Sequence, residues 1–152
     1  MGSGFKIRKR RLPHWTIDGA IYFLTIRAYT VFTAVECWAI KEHIKHGNKK
    51  YYALVCCVVM PDHAHIILQP NEGIELKRIN SGIKGVSARI VNLMRNSRGQ
   101  IWQHESYDRI IRNERELLQK VNYVARNPVK AGLIDEIHNY VGWYFNEEII
   151  LF

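Results

Sequence analysis

The chain has 152 residues, 47% of them hydrophobic, which is enough for one compact domain with a real core. Its 22 Lys and Arg against 14 Asp and Glu give a formal charge of +8, a balance that favours a polyanionic partner, nucleic acid before an acidic membrane surface. Cys37, Cys56 and Cys57 are an odd set with no C-x-x-C spacing, which argues against a disulfide framework and fits small buried hydrophobes in a reducing compartment.

Residues 1–13 read as a basic arm containing Lys6, Arg8, Lys9, Arg10 and Arg11, and 14–152 as a single domain. The N-terminus is polar and basic rather than basic then apolar, so it does not read as a secretory signal. Ile21 to Tyr29 is β-branched and aromatic and predicts a first strand. From Thr33 to about His46, Val35, Trp38, Ala39, Ile40 and Ile44 fall near helical spacing, with Gly47 as a stop. Tyr51 to Met60 predicts a second strand, apolar enough toward its end to be central. Its apolar run, Ala53 to Met60, is too short to span a bilayer, and a soluble cytoplasmic protein is expected.

Pro61-Asp62 breaks the chain, and His63 to Gln69 predicts a third strand returning beside the second. A long helix follows over about Ile74 to Met94, weakened by Gly82 and Gly85. Beyond a turn at Asn96 to Gly99, a short fourth strand is expected at Tyr107 to Ile111. Glu114 to Arg126 predicts a helix with Leu117, Leu118, Val121 and Val124 on its apolar side, ending near Asn127 because Pro128 disfavours helix at the preceding residue. Trp143, Tyr144 and Phe145 are expected to pack back on the body. The order β-α-β-β-α-β followed by a helix matches an α+β, ferredoxin-like antiparallel sheet with helices on one face.

Two pairs carry the chemistry. His63 and His65 flank Ala64 in a strand, so both imidazoles project from one side and can share a metal ion. An isolated H-x-H is nonetheless more often structural than metal-binding. Tyr123 and Asn127, at i and i+4, lie on one helical face, where a boundary aromatic and a helix-end asparagine are the ordinary account. If that face meets the histidine strand, Asn127 supplies a third, oxygen ligand and Tyr123 points at whatever the metal holds. Imidazole plus amide oxygen tolerates Mg²⁺ or Mn²⁺ as well as softer ions. A tyrosine at its reference pKa of about 10 is ionised in roughly one copy per thousand at pH 7, so a nucleophilic role needs a nearby cation or metal. Lys120 and Arg126 are the nearest cations in sequence. Lys77, Arg78, Lys84, Arg89, Arg95 and Arg98 suit a phosphate backbone, and Trp15, Trp102 and Tyr107 could stack on unpaired bases.

Met60-Pro-Asp-His-Ala-His-Ile-Ile-Leu68 resembles the HUH motif of single-tyrosine transposases from small bacterial insertion sequences. Arg11-Leu-Pro-His-Trp15, Trp102-Gln103 with Glu105 to Arg112, and Tyr123-Val-Ala-Arg-Asn-Pro-Val-Lys-Ala-Gly-Leu133 narrow the resemblance to REP-associated tyrosine transposases, over about residues 8–134. The resemblance implies a ferredoxin-like (RRM-like) core with the catalytic tyrosine on a C-terminal helix. It implies a divalent cofactor, Mg²⁺ or Mn²⁺, and cleavage of single-stranded DNA beside a hairpin through a 5′-phosphotyrosine. Carried over, His63, His65 and Asn127 are metal ligands and Tyr123 the nucleophile. Arg8, Lys9, Arg10 and Arg11 form an arm for the hairpin; Lys84 and Arg89, from the cations that suit a phosphate backbone, are expected as further DNA contacts. It also implies a bacterial, nucleoid-associated setting, as a monomer or as a homodimer that exchanges its tyrosine helices. Two rival readings are a non-cleaving nucleic-acid binder of the same fold and a metallohydrolase that uses water, with Tyr123 merely packing.

Overall fold

The computed structural model describes residues 19–148; the arm at 1–13, with Arg8, Lys9, Arg10 and Arg11, and Trp15 lie outside them. The elements run β1 (Ile21–Ala28), α1 (Ala34–His46), β2 (Tyr52–Val59), β3 (His63–Pro70), α2 (Leu76–Arg95), β4 (Trp102–Ile111), α3 (Glu114–Lys130) and β5 (Trp143–Phe145), with a short 3-10 turn at Ile137–Asn139 before β5. The sheet order is β4-β1-β3-β2-β5 with every neighbouring pair antiparallel. The four strands β1 to β4 and helices α1 and α2 are the expected ferredoxin-like arrangement, and Trp143 to Phe145 do pack back, as an edge strand on β2.

Alternation along the strands divides two cores. Leu24, Ile26, Ala64, Ile66 and Leu68 face α1 and α2, where they meet Ile40, Ile44, Ile79 and Ile83. Ile21, Val58 and Ile67 face the other way, against Leu117, Val121 and Val124 of α3. β2 serves both, and a bulge between Leu54 and Cys56 puts the successive residues Val55 and Cys56 together in the second core, with Leu54 and Cys57 in the first. Among the described α-helices, α3 therefore lies alone on the face opposite α1 and α2. All three cysteines are free and buried, and burial pushes the Cys37 and Cys57 thiols up to about 11 and about 12.

Local chemistry explains the ends of α1. Thr33 and Glu36 form a capping box, with the Thr33 hydroxyl accepting from the Glu36 N–H (3.2 Å) and the Glu36 carboxylate from the Thr33 N–H (2.9 Å). At the other end Gly47 lies so close to the Tyr52 phenol that a Cβ would collide with it, and that phenol donates to the Ile44 carbonyl (2.6 Å). The buried face is Cys37, Ile40 and Ile44, whereas Val35 and Trp38 stand exposed, so the apolar stripe is narrower than the spacing predicts.

Three expectations are corrected. β4 begins at Trp102 rather than Tyr107, because an edge strand held to β1 by its backbone needs no apolar alternation; most of its residues are exposed. Trp102 is not free to stack on bases, since it is buried against Phe32 with its indole N–H donating to the Ser87 hydroxyl (2.8 Å). α3 runs past Asn127 to Lys130 with Pro128 inside it. In the last turn proline forfeits a single i→i−4 bond. The real stop is a Schellman motif, in which Gly132 (φ +74°) donates to the Val129 carbonyl and Leu133 to the Pro128 carbonyl, both at 3.0 Å.

Arg95, at the end of α2, joins the two helices by donating to both Glu36 oxygens (2.6 and 2.7 Å), the Thr30 hydroxyl (2.7 Å) and the Val31 carbonyl (3.0 Å). The Arg95 guanidinium holds the buried Glu36 carboxyl below the usual carboxylate range. A depressed carboxylate stabilises the fold above its unfolded pKa of about 4.3 and loses that contribution as pH falls through the lower folded value. Glu36→Gln should therefore lower the urea midpoint most at pH 7, with the gap to wild type closing below about pH 4.

Candidate active site

The register between β1 and β3 sets Thr25 opposite His65 and Arg27 opposite His63, on the face that α3 partly covers. His63 opens β3 directly after the Pro61-Asp62 turn, where the Met60 N–H donates to the His63 carbonyl (2.7 Å). The turn is fastened to the end of β1, since the Ala28 N–H donates to the Asp62 carbonyl (2.8 Å) and the Phe32 N–H to that of Pro61 (2.6 Å). The two imidazole rings meet edge to face, 4.8 Å between centroids.

Each ring has one nitrogen already engaged. Nδ1 of His63 lies 2.7 Å from Asp62 Oδ1, and Nδ1 of His65 lies 2.9 Å from the Thr25 hydroxyl. Among the described residues Nε2 is left over in both cases, and a carboxylate or hydroxyl on Nδ1 can fix the tautomer of a ligating histidine. His65 is 5% exposed, and its pKa is lowered to about 3, by burial first and then by its neighbours His63, Arg27 and Lys120. It stays neutral at physiological pH and keeps a lone pair for a metal.

Tyr123 comes to this pair from α3. Its ring lies 5.6 Å from that of His65 and 6.1 Å from that of Phe23, both in edge contact, while 49% of the residue remains exposed. With Asn127, Gln119, Arg126, Lys130 and Ala131 it lines an open cleft of about 680 Å³ along α3. The i, i+4 pair thus shares one face, and that face meets the histidine strand through Tyr123. Among the described residues no three His, Cys, Asp or Glu side chains gather as a metal cluster.

The expected DNA-binding cations on α2 are placed elsewhere. Lys84 and Arg89 belong to the layer across the sheet from the histidines. The Lys84 ammonium donates to the Gln103 and His104 carbonyls (2.9 and 3.0 Å), while Arg89 is exposed. A separate cavity of about 360 Å³ between α1 and α2 is also on that layer and contains none of His63, His65, Tyr123 or Asn127. Sequence reasoning missed Thr25, Asp62, Phe23 and Arg27. Only Asp62, adjacent to His63, carried any local signal; the others are brought in by strand register.

Comparison with known proteins gives the family and the fold. A family described as "Transposase IS200 like" matches residues 15–127. The chain belongs to the IS200-like transposase family. A Haemophilus influenzae protein named as a REP-associated tyrosine transposase is 22% identical, over 86% of this chain and 82% of that one. A solved REP-associated tyrosine transposase bound to a REP hairpin superposes with a TM-score of 0.64 at 21% identity, over 84% of this chain and 77% of the other. A transposase structure from Deinococcus radiodurans matches with a TM-score of 0.52 at 20% identity, over 73% and 92%. These likenesses to IS200-like and REP-associated transposases bear out the family seen in the motifs and the fold expected from them. Among the described residues, no helix of this transposase is long and apolar enough to cross a membrane.

The neutral state of His65 is directly testable by NMR. Its ring resonances should not shift between pH 8 and pH 4.5, since its pKa is about 3. A titration midpoint near the ordinary value of about 6.5 would contradict the buried, hydroxyl-bonded ring.

Proposed function

We propose that the protein cuts and rejoins single-stranded DNA beside hairpin-forming repeats, with Tyr123 as nucleophile and a 5′-phosphotyrosine as intermediate. The observation that carries the reading is the edge contact of Tyr123 with His65, two residues distant in sequence that the fold brings to 5.6 Å between ring centroids. A tyrosine ester conserves the energy of the broken phosphodiester for rejoining, which a water-derived product does not.

The donor set suits a divalent ion. Two imidazoles present Nε2 atoms without a partner among the described residues, each ring held by a partner on Nδ1, and the Asn127 amide is the proposed third ligand, from the same helical face as Tyr123. Mg²⁺ or Mn²⁺ held there would polarise a phosphodiester oxygen. The residues of the chain do the remaining work. Asp62 and Thr25 hold the rings in place. Phe23 and His65 back the tyrosine ring, so that it approaches phosphorus from a fixed side. Arg126 and Lys130 line the cleft with Tyr123 and Asn127, giving a positive track for the strand.

The hairpin partner is proposed from the relative whose structure holds a REP hairpin, together with the excess positive charge of this chain. The basic arm, Arg8, Lys9, Arg10 and Arg11, is the proposed hairpin contact, with Lys84 and Arg89 as more distant ones. A bacterial cytoplasm and association with the nucleoid follow from such a substrate.

The decisive experiment incubates the protein with hairpin-bearing single-stranded DNA and Mn²⁺, then identifies the covalent peptide–oligonucleotide adduct by mass spectrometry. Tyr123→Phe should abolish the adduct while leaving DNA affinity nearly unchanged, since only the phenolic oxygen is removed. Cleavage that survives Tyr123→Phe would instead mean a hydrolase using water, and DNA binding with no adduct in the wild type would mean a non-cleaving binder. Thr25→Val, which keeps the shape and removes the hydroxyl on His65, should weaken Mn²⁺ binding by about 10- to 100-fold in a calorimetric titration.

A further inference from the structure

Lys120 stands one turn before Tyr123 on the same face of α3. Its ammonium lies 5.2 Å from the centroid of Phe23 and 5.8 Å from that of Tyr123, over both rings, and it is among the positive neighbours of His65. The residue is half-buried, yet among the described residues it forms no ion pair, whereas Lys41, Lys45, Lys49 and Arg95 each have a carboxylate. The Asp62 carboxylate, next to the histidines, is engaged with His63. Aromatic faces attract a cation without neutralising it. A partly desolvated ammonium is thus held beside the tyrosine and the histidine pair with its charge left over for an anion.

We infer that Lys120 is a further catalytic residue, whose ammonium binds a non-bridging oxygen of the phosphodiester attacked by Tyr123 and offsets the negative charge that grows there. The inference rests on the reading of Tyr123 as nucleophile. In the attack the Tyr123 oxygen, its proton released to solvent, forms a bond to phosphorus. The bond from phosphorus to the 3′ oxygen breaks, and that oxygen takes up a proton. One diester replaces another, and Lys120 keeps all its protons throughout. Its contribution is electrostatic: a fixed positive charge meets the site where charge accumulates, in surroundings with less water to screen it.

The test compares Lys120→Met and Lys120→Arg with wild type in single-turnover adduct formation. One substrate carries an ordinary scissile phosphate and the other a methylphosphonate, which lacks the negative charge. On the charged substrate, Lys120→Met should slow the reaction by about 100-fold at saturating DNA, and Lys120→Arg should recover part of the loss. On the neutral substrate the same substitution should cost far less. A second arm needs no reaction. In metal-free buffer and a Tyr123→Phe background, Lys120→Met should reduce the slope of log affinity against log salt by about one. Equal losses on charged and neutral phosphates, or an unchanged salt slope, would reduce Lys120 to a packing role and overturn the inference. A wild-type protein that forms no adduct refutes the Tyr123 reading instead, and the salt slope still reports on Lys120 alone.

Discussion

The antiparallel register between β1 and β3 is the constraint on which the site depends. It pairs Thr25 with His65 and Arg27 with His63, and at the same time turns Leu24, Ile26, Ile66 and Leu68 into the α1/α2 core. A slip of β3 by one residue would exchange its two faces, sending the imidazoles into an apolar layer and Ile66 and Leu68 toward the cleft. At about 1.5–3 kcal/mol for each buried Leu or Ile, their exposure alone would cancel much of a typical domain's stability of about 5–15 kcal/mol. The hydrophobic core therefore fixes the position of the histidines, although it shares no atom with them.

The two faces of the sheet carry different loads. Toward α1 and α2, polar groups are spent on the fold: Arg95 fastens Glu36 and the Thr30–Val31 segment, and Lys84 fastens the start of β4. Toward α3, several polar groups keep binding capacity unused among the described residues, notably the two Nε2 atoms and the Lys120 ammonium. That separation lets a firmly packed layer support a chemically exposed one. Of the six cations on or near α2 that the sequence offers as phosphate contacts, Arg95 is committed to holding the structure together, and Lys84 also bonds two carbonyls of β4.

Much of this was legible from the chain because local physics and global fold agree there. β1, α1, β2 and β3 announce themselves by β-branched runs, the Thr33 cap and the Pro61-Asp62 break. His63 and His65 share a face for the simple reason that a strand alternates. Legibility fails where the determining contact is distant or purely backbone. β4 is held by β1 rather than by its own apolar pattern, so its polar first half resembled a loop. α3 outlasts Asn127 because Gly132 and Leu133 close its end, and a single proline one turn from that end costs only one bond. Trp102 looked available in the sequence and is buried because Ser87 and Phe32 receive it. The meeting of Tyr123 with His65 belongs to the same class. Helical spacing gives the face, and only the packing of Leu117, Val121 and Val124 on the sheet brings that face to the histidines.

The three thiols described in the two cores bear on how such a protein can be studied. Cys37, Cys56 and Cys57 are almost wholly shielded and hard to ionise, and the thiolate is the form that alkylating reagents attack. The native sequence thus already behaves as a cysteine-light background. A single cysteine placed at an exposed site such as Tyr107 on β4 would take up a maleimide dye or spin label selectively, with no prior removal of the natural thiols and no damage to the packing they supply.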